Sequence, residues 1–110
     1  MKIIKRKLNK DYIFLLEGIF NFEAIWELNS IFENWDYVNN GDVLFDLSKA
    51  QHIDSLAIGF LVKLNRRLSK YKKGFFLTNL SKNVEKIFEL TNMDKYFKII
   101  QNSEDKDFFD

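Results

Sequence analysis

Hydrophobic and polar positions alternate along the chain, and the first stretch predicts a hairpin. Residues 2–8 (KIIKRKL) indicate a strand, and their lysines suit the edge of a sheet. The unbroken apolar run at residues 12–16 is typical of a strand that is covered on both faces. Because only turn-forming residues separate the two runs, we expect them to pair as an antiparallel hairpin.

The next segment changes to the helical period. Gly18 interrupts the strand pattern, Asn21 is a favourable helix cap, and residues 22–36 predict a helix. The apolar stripe of this helix is predicted to consist of Ile25, Leu28, Phe32 and Trp35. The turn-forming residues 39–42 (NNGD) then end the unit.

The centre of the chain predicts a strand, a loop and a long helix. Residues 43–47 (VLFDL) indicate a short buried strand, residues 48–54 a loop, and residues 55–71 a helix. The apolar stripe of the helix is predicted to be Ala57, Phe60, Leu61, Leu64, Leu68 and Tyr71. Gly74 stands just beyond it, as glycine commonly does after the last turn of a helix.

The last third repeats the strand and helix pattern. Residues 75–78 predict a buried strand, Ser81 caps a further helix, and residues 97–100 indicate a final strand. The buried positions of that helix are predicted to be Val84, Ile87, Phe88 and Leu90. Asn92 is suited to the left-handed conformation that closes a helix.

The element order predicts an α/β fold. A hairpin followed by β-α-β-α-β-α gives a mixed sheet that is parallel in its later part, with helices packed on it. We expect one domain over residues 1–110, with residues 101–110 as an acidic, aromatic tail that is either flexible or a short helix. Most phenylalanine rings of the domain are predicted to form its core. They are Phe14, Phe20, Phe22, Phe32, Phe45, Phe60, Phe75, Phe76 and Phe88.

Composition and charge exclude several classes of protein. The chain has 110 residues, a net charge of +1, one histidine and no cysteine. Disulfides and thiolate metal sites are therefore excluded, and we expect no metal or cofactor. A balanced charge gives no global attraction to nucleic acid or to anionic lipid. No signal peptide or membrane-spanning run is recognisable, so we expect a cytoplasmic protein that does not insert into a membrane.

Four short motifs in the second half occur together in a known family. They are Asp-Leu-Ser at residues 46–48, Ile-Asp-Ser at 53–55, Gly74, and LTNMDKYF at 90–97. In this order and spacing they resemble the STAS domain, and especially the bacterial anti-sigma factor antagonists. The chain departs from the family pattern in having Leu56 where a small residue is usual and Asn92 where glycine is usual.

This resemblance implies a regulator that works by binding. In the family, the unphosphorylated domain binds an anti-sigma factor that is also a serine kinase and thereby frees a sigma factor; phosphorylation of the serine, here Ser55, breaks the complex, and a phosphatase restores it. It implies a partner surface formed by Asp54, Ser55, Leu56, Ile58 and Gly59. It also implies that the chain is a monomer or weak dimer and is not itself an enzyme.

Physical chemistry supports such a switch but leaves alternatives open. A phosphate at the start of a helix is tolerated by the fold, and it adds a charge of about −1.5 to −2 that repels a docked partner. From local sequence alone, Asp54 and Ser55 could instead serve only as helix caps. Leu56 suggests a second role, that of a constitutive STAS subunit bound to the ATPase of a membrane lipid (ABC) transporter.

Three other features have less specific interpretations. His52 is predicted to be an exposed loop histidine, since residues this close cannot adopt the geometry of a catalytic triad with Asp54 and Ser55. Phe108 and Phe109 either cover an open edge of the core or dock on a neighbour. A basic cluster is expected to be a solvated helix face, or a surface for an acidic partner or a phosphate: Lys63, Arg66, Arg67, Lys70, Lys72 and Lys73.

Overall fold

The structure is a computed structural model that describes residues 1–100. Within that range the elements are β1 (Lys2–Leu8), β2 (Asp11–Phe20), α1 (Phe22–Glu33), β3 (Val43–Asp46), β4 (Ala50–Ile53), α2 (Ser55–Lys70), β5 (Phe75–Thr78), α3 (Lys82–Thr91) and β6 (Lys98–Ile100). The predicted α/β fold with a mixed sheet is confirmed. The expected tail at residues 101–110 lies outside the described residues. None of the helices in the described part is long and apolar enough to cross a bilayer.

The strands form one sheet in the order β1-β2-β3-β5-β6, and β4 pairs with the far end of β2. The predicted hairpin is confirmed, because β1 runs antiparallel to β2 and Lys5 lies opposite Phe14. The pairs β2–β3, β3–β5 and β5–β6 are all parallel. The carboxyl ends of these parallel strands therefore meet at one edge of the sheet, where the connections to the helices begin.

The prediction of a loop at residues 48–54 was wrong, because Ala50–Ile53 is a strand. Its partner, β2, also runs to Phe20 and not only to residue 16. Gly18 is part of that longer strand with φ of 113°, and the register with β4 shifts between Gly18 and Ile19. Four residues with two exposed polar side chains carry little strand signal of their own. The pairing with β2 decides their conformation.

Some predicted helix positions also need correction. The first helix ends at Glu33 and not at residue 36, so Trp35 lies beyond it. The second ends at Lys70, and Tyr71 is largely exposed. Leu90, predicted to be buried, is 75% exposed. The predicted left-handed residue Asn92 is confirmed, with φ of 59°.

The turn after α1 is held by a local carboxylate. Asp36 accepts hydrogen bonds from the backbone N–H of Asn39, at 3.0 Å, and from its side-chain amide, at 2.9 Å. The side-chain hydrogen bond is the main reason that the pKa of Asp36 lies below its ordinary value. The turn predicted at residues 39–42 is therefore stabilised at its first residue, Asn39, by the side chain of Asp36.

All three helices pack on one face of the sheet. Their buried side chains join the inward-facing strand residues in a single apolar cluster. Aromatic rings form its centre: the ring of Phe45 lies 5.5 Å from that of Phe14, 5.9 Å from Phe32 and 5.1 Å from Phe75, between centroids. Most rings predicted for the core are buried, but Phe22 is 62% exposed and Phe76 is only half-buried on the other face.

Candidate functional site

Two helices begin side by side at the carboxyl edge of the sheet. The chain leaves β2 at Phe20 to enter α1, and it leaves β4 at Ile53 to enter α2. Phe20 and Ile53 are paired in the sheet, and the backbone N–H of Asp54 donates to the carbonyl of Phe20 at 3.4 Å. The starts of α1 and α2 are therefore neighbours, and their N-terminal dipoles point toward the same surface.

Each helix start is closed by its own cap. The Asn21 side chain accepts from the N–H groups of Glu23, at 3.1 Å, and Ala24, at 3.3 Å. A carboxylate oxygen of Asp54 accepts from the N–H of Ala57 at 2.8 Å. Ser55 follows as the first residue of α2 and is exposed. Of the two adjacent candidates for capping, Asp54 is thus the residue that caps, and the Ser55 side chain lies at the surface.

A groove of about 480 Å³ runs between α1 and α2, with Ser55 at its wall. The lining residues are Phe22, Ile25, Asn29, Phe32, Ser55, Leu56, Gly59, Phe60, Lys63, Leu64 and Arg67. Ser55, Leu56 and Gly59 from the predicted partner surface therefore share this groove. Asp54 lies beside it as the cap, and Ile58 is half-buried against the core. The structure thus brings three of the five predicted residues together on one concave surface.

Large exposed apolar side chains lie at the groove, where Phe22 and Leu56 are lining residues and Trp26 lies beside Phe22. Phe22 is 62% exposed, Trp26 69% and Leu56 61%, and we refer to these three as the apolar rim. The ring centroids of Phe22 and Trp26 are 6.5 Å apart on successive turns of α1. The sequence analysis placed Phe22 in the core and did not single out Trp26. The position of Trp26 in α1, away from the buried residues Ala24, Leu28 and Phe32, was the signal that could have revealed its exposure.

The other end of the groove is basic. Lys63 and Arg67 line it one and two turns beyond Gly59 on α2. The Arg67 guanidinium lies over the ring of Tyr37, 5.9 Å from its centroid. Arg66, Lys70 and Lys72 of the predicted basic cluster are exposed elsewhere on and after the helix. Only part of that cluster therefore belongs to the site.

The remaining candidate is His52. It is exposed as predicted, but it lies in β4, paired with Ile19, and not in a loop. Within residues 1–100, no group of three or more His, Cys, Asp or Glu side chains could hold a metal ion. The arrangement provides a binding surface. An exposed hydroxyl, an apolar rim and two positively charged side chains lie around a groove.

Comparison with known proteins matches most of the chain to one family. The family model described as the STAS domain matches residues 2–106. A candidate anti-sigma factor antagonist of Thermotoga neapolitana is 29% identical over 98 residues, which cover 84% of each chain. The crystal structure of the candidate anti-sigma factor antagonist of Thermotoga maritima has a TM-score of 0.83 at 20% identity, over 96% of this chain and 91% of that one.

A further structural relative is the anti-sigma factor antagonist SpoIIAA of Bacillus, solved in two states. Its unphosphorylated form has a TM-score of 0.78 at 15% identity and covers 97% of this chain and 93% of that one. Its phosphorylated form has a TM-score of 0.71 at 14% identity and covers 97% and 96%. At these identities the likeness establishes a shared fold.

Proposed function

The chain belongs to the STAS domain family, and from this premise we propose that it is a cytoplasmic anti-sigma factor antagonist switched by phosphorylation of Ser55. In its unmodified form it binds an anti-sigma factor that is also a serine kinase, and a sigma factor is released. Phosphate on Ser55 ends that complex, and a phosphatase restores it. The chain itself provides a binding surface and the acceptor hydroxyl, while ATP binds to the kinase.

The observation that carries this proposal is the position of Ser55. It is exposed at the start of α2, while the neighbouring Asp54 performs the capping. A hydroxyl in that place can be modified without removing a contact that holds the helix. The candidate antagonists of Thermotoga, which match over most of their length, support the assignment to this type of regulator.

Electrostatics explain how one phosphate could act as a switch without unfolding the domain. The new charge would lie next to the N-termini of both α1 and α2, whose N–H groups favour an anion. The same charge of about −1.5 to −2 would face any protein docked over the groove. Docking would remove the phosphate from water and bring it close to carboxylates of the partner. Both effects raise the free energy of the complex and leave that of the free domain unchanged. SpoIIAA, which shares the fold, exists in both forms.

The proposed partner surface combines the predicted residues with the apolar rim. Phe22, Trp26 and Leu56 offer rings and an aliphatic chain that lose water on docking, and aromatic side chains of this kind dominate many interfaces. Ser55 lies among them. A partner that covers the rim would therefore bring its own surface against the hydroxyl that is modified.

Phosphorylation is tested directly with the candidate anti-sigma kinase of the same genome. We expect incubation with kinase and ATP to add one phosphate, which mass spectrometry maps to Ser55. Ser55→Ala should abolish the label, whereas Ser69→Ala, an exposed serine in the last turn of α2, should not. Absence of label on Ser55 together with no binding of the unmodified protein to the kinase would contradict the proposal.

Binding is tested with a charge at the same place. We expect Ser55→Asp to weaken kinase binding by about tenfold or more, as titrated by calorimetry, with little change in thermal midpoint. Ser69→Asp is the matched control and should bind normally. The rim variants Phe22→Ser and Trp26→Ser should also weaken binding, while Leu90→Ser, equally exposed on α3, should not. A large fall in the midpoint of Ser55→Asp would instead indicate a structural serine.

The exposure of Leu56 favours a second candidate function. A bulky apolar side chain beside the serine suits a permanent contact, as in a STAS subunit attached to the ATPase of a membrane lipid transporter. Affinity purification from cells separates the two roles. Recovery of transporter ATPase subunits would support the constitutive subunit, and recovery of an ATPase with a histidine-kinase fold would support the switch.

A further inference from the structure

The groove between α1 and α2 has an apolar end and a basic end. Its wall on α2 is formed by residues three or four positions apart, which lie on one side of the helix. They are Leu56, Gly59, Lys63 and Arg67. Over about 16 Å of helix, this wall therefore changes from an exposed aliphatic side chain beside Ser55 to two cations.

The two cations are unpaired in the part of the chain that the structure describes. Lys63 is exposed, and neither it nor Arg67 forms an ion pair with a carboxylate of residues 1–100. The Arg67 guanidinium lies over the ring of Tyr37, a contact that leaves its N–H groups without a carboxylate. Two unpaired cations beside a concave surface attract a ligand of negative charge.

The acidic side chains around the groove do not neutralise its basic end. Asp54 caps α2 at the opposite end, and Asp36 is hydrogen-bonded within its own turn. Glu33 is exposed at the end of α1, and against the two cations it still leaves a net positive charge there. None of the acidic residues of these two helices and their ends lines the groove: Glu23, Glu27, Glu33, Asp36 and Asp54.

The middle of the groove is open because Gly59 has no side chain. Gly59 lies inside α2, and an added Cβ would meet no atom within 4 Å. Neither close packing nor a turn in the described fold therefore requires glycine here, although glycine is unfavourable inside a helix. Without a side chain at this position, the groove stays open beside the buried apolar side chains of Phe60 and Leu64.

We propose that the groove binds an acidic, amphipathic segment of the partner protein. This inference rests on the proposed function, because the segment belongs to the anti-sigma factor that docks beside Ser55. A large apolar side chain of the segment lies over Gly59, and its carboxylates pair with Lys63 and Arg67. A nucleic acid would also pair with the cations, but its phosphate backbone would leave the apolar floor uncovered. A protein segment with both kinds of side chain matches both ends of the groove.

Charge reversal tests the basic end with the candidate anti-sigma kinase. We expect Lys63→Glu and Arg67→Glu each to weaken kinase binding by about tenfold or more, as titrated by calorimetry. Lys86→Glu, at an exposed position of α3, is the matched control with the same change of net charge and should bind normally. Normal binding by both groove variants would overturn this inference and leave the proposed function standing.

Filling the groove tests its apolar part. Gly59→Leu should weaken kinase binding by about tenfold or more, because the new side chain occupies the space that the partner needs. The thermal midpoint should not fall, since leucine is favourable inside a helix and its Cβ meets no neighbouring atom. Ser69→Leu, exposed in the last turn of α2, is the control and should bind normally. Unchanged affinity of Gly59→Leu would show that the partner does not enter the groove.

A model peptide separates failure of this inference from failure of the proposed function. The probe is a helical peptide of about four turns with leucines on one side and three glutamates near one end. In NMR titrations we expect the methyl signals of Ile25, Leu56 and Leu64 to shift. A peptide with lysines in place of the glutamates should bind about tenfold more weakly or less.

The outcomes of the titration are distinct. Shifts confined to the groove, in a chain to which the kinase does not bind, would support the groove as a site for an acidic segment and reject the anti-sigma factor as its source. Shifts elsewhere, no shifts, or equal binding of the lysine peptide would overturn the inference, whether or not the kinase binds.

Discussion

At the scale of the residue, two adjacent polar side chains at the start of α2 have different roles. Asp54 has an extended backbone and accepts the N–H of Ala57, so it is the cap. Ser55 is already helical and exposed. Separation of the two roles matters for regulation, because a residue that both capped and switched would destabilise the helix each time it was modified.

This separation predicts unequal effects on stability. Asp54→Ala should lower the free energy of unfolding by about 1 kcal/mol, since the Ala57 N–H loses its acceptor. Ser55→Ala should change it by less than about 0.5 kcal/mol, as is usual for exposed positions. Urea denaturation of both variants checks this. Equal losses would mean that Ser55 also contributes to the cap.

At the scale of the element, the length of β2 decides how the site is built. The strand continues past its apolar run through Gly18, whose φ of 113° is disfavoured for any residue with a Cβ. The shift of register at that point allows β4 to pair with Ile19 and Phe20. That pairing in turn places Asp54 next to the start of α1. A single glycine conformation thus contributes to bringing the two helix starts together.

Gly18→Ala should therefore destabilise the fold. We expect a loss of about 1–3 kcal/mol, because alanine is strained at this φ. Gly59→Ala is the matched control: Gly59 lies inside α2, and an added Cβ would meet no atom within 4 Å. That variant should gain about 0.5–1 kcal/mol from helix propensity. Thermal or urea unfolding distinguishes the two, and a neutral Gly18→Ala would contradict this account of β2.

At the scale of the whole molecule, a one-sided architecture divides the chain into a core face and an outer face. The helices and aromatic rings occupy one side of the sheet, and the groove with its apolar rim lies on the exposed surface of those helices. Ile13, Leu15 and Leu44 lie on the opposite face of the sheet. The proposed regulation at Ser55 therefore takes place on the helical side of the molecule.

The ring cluster should carry much of the stability of this architecture. Phe45 is fully buried and contacts the rings of Phe14, Phe32 and Phe75. Phe45→Ala should cost about 3–5 kcal/mol, a large part of the 5–15 kcal/mol typical of a domain. Phe22→Ala, at an exposed position, should cost little. Equilibrium denaturation of the two variants provides the comparison, and similar losses would refute the assignment of the core.

Local and periodic signals in the sequence determined most elements of the fold. Apolar runs located the first part of β2, β3 and β5, and a lysine-rich strand pattern located β1. The helical period located all three helices, and Asn21, Ser81 and Asn92 were identified as caps or helix ends. Four short motifs between residues 46 and 97 pointed to the family. These features are readable because each depends on neighbouring residues, whose chemistry and spacing are visible in the sequence itself.

Only the tertiary structure decided the features that depend on distant residues. Ala50–Ile53 is a strand because β2 lies beside it, and Phe22 and Trp26 are exposed because α1 turns its other side to the sheet. The groove exists because two helices separated by more than 20 residues begin at the same edge. Which residues meet across such distances depends on packing of the whole sheet, and no local pattern encodes it.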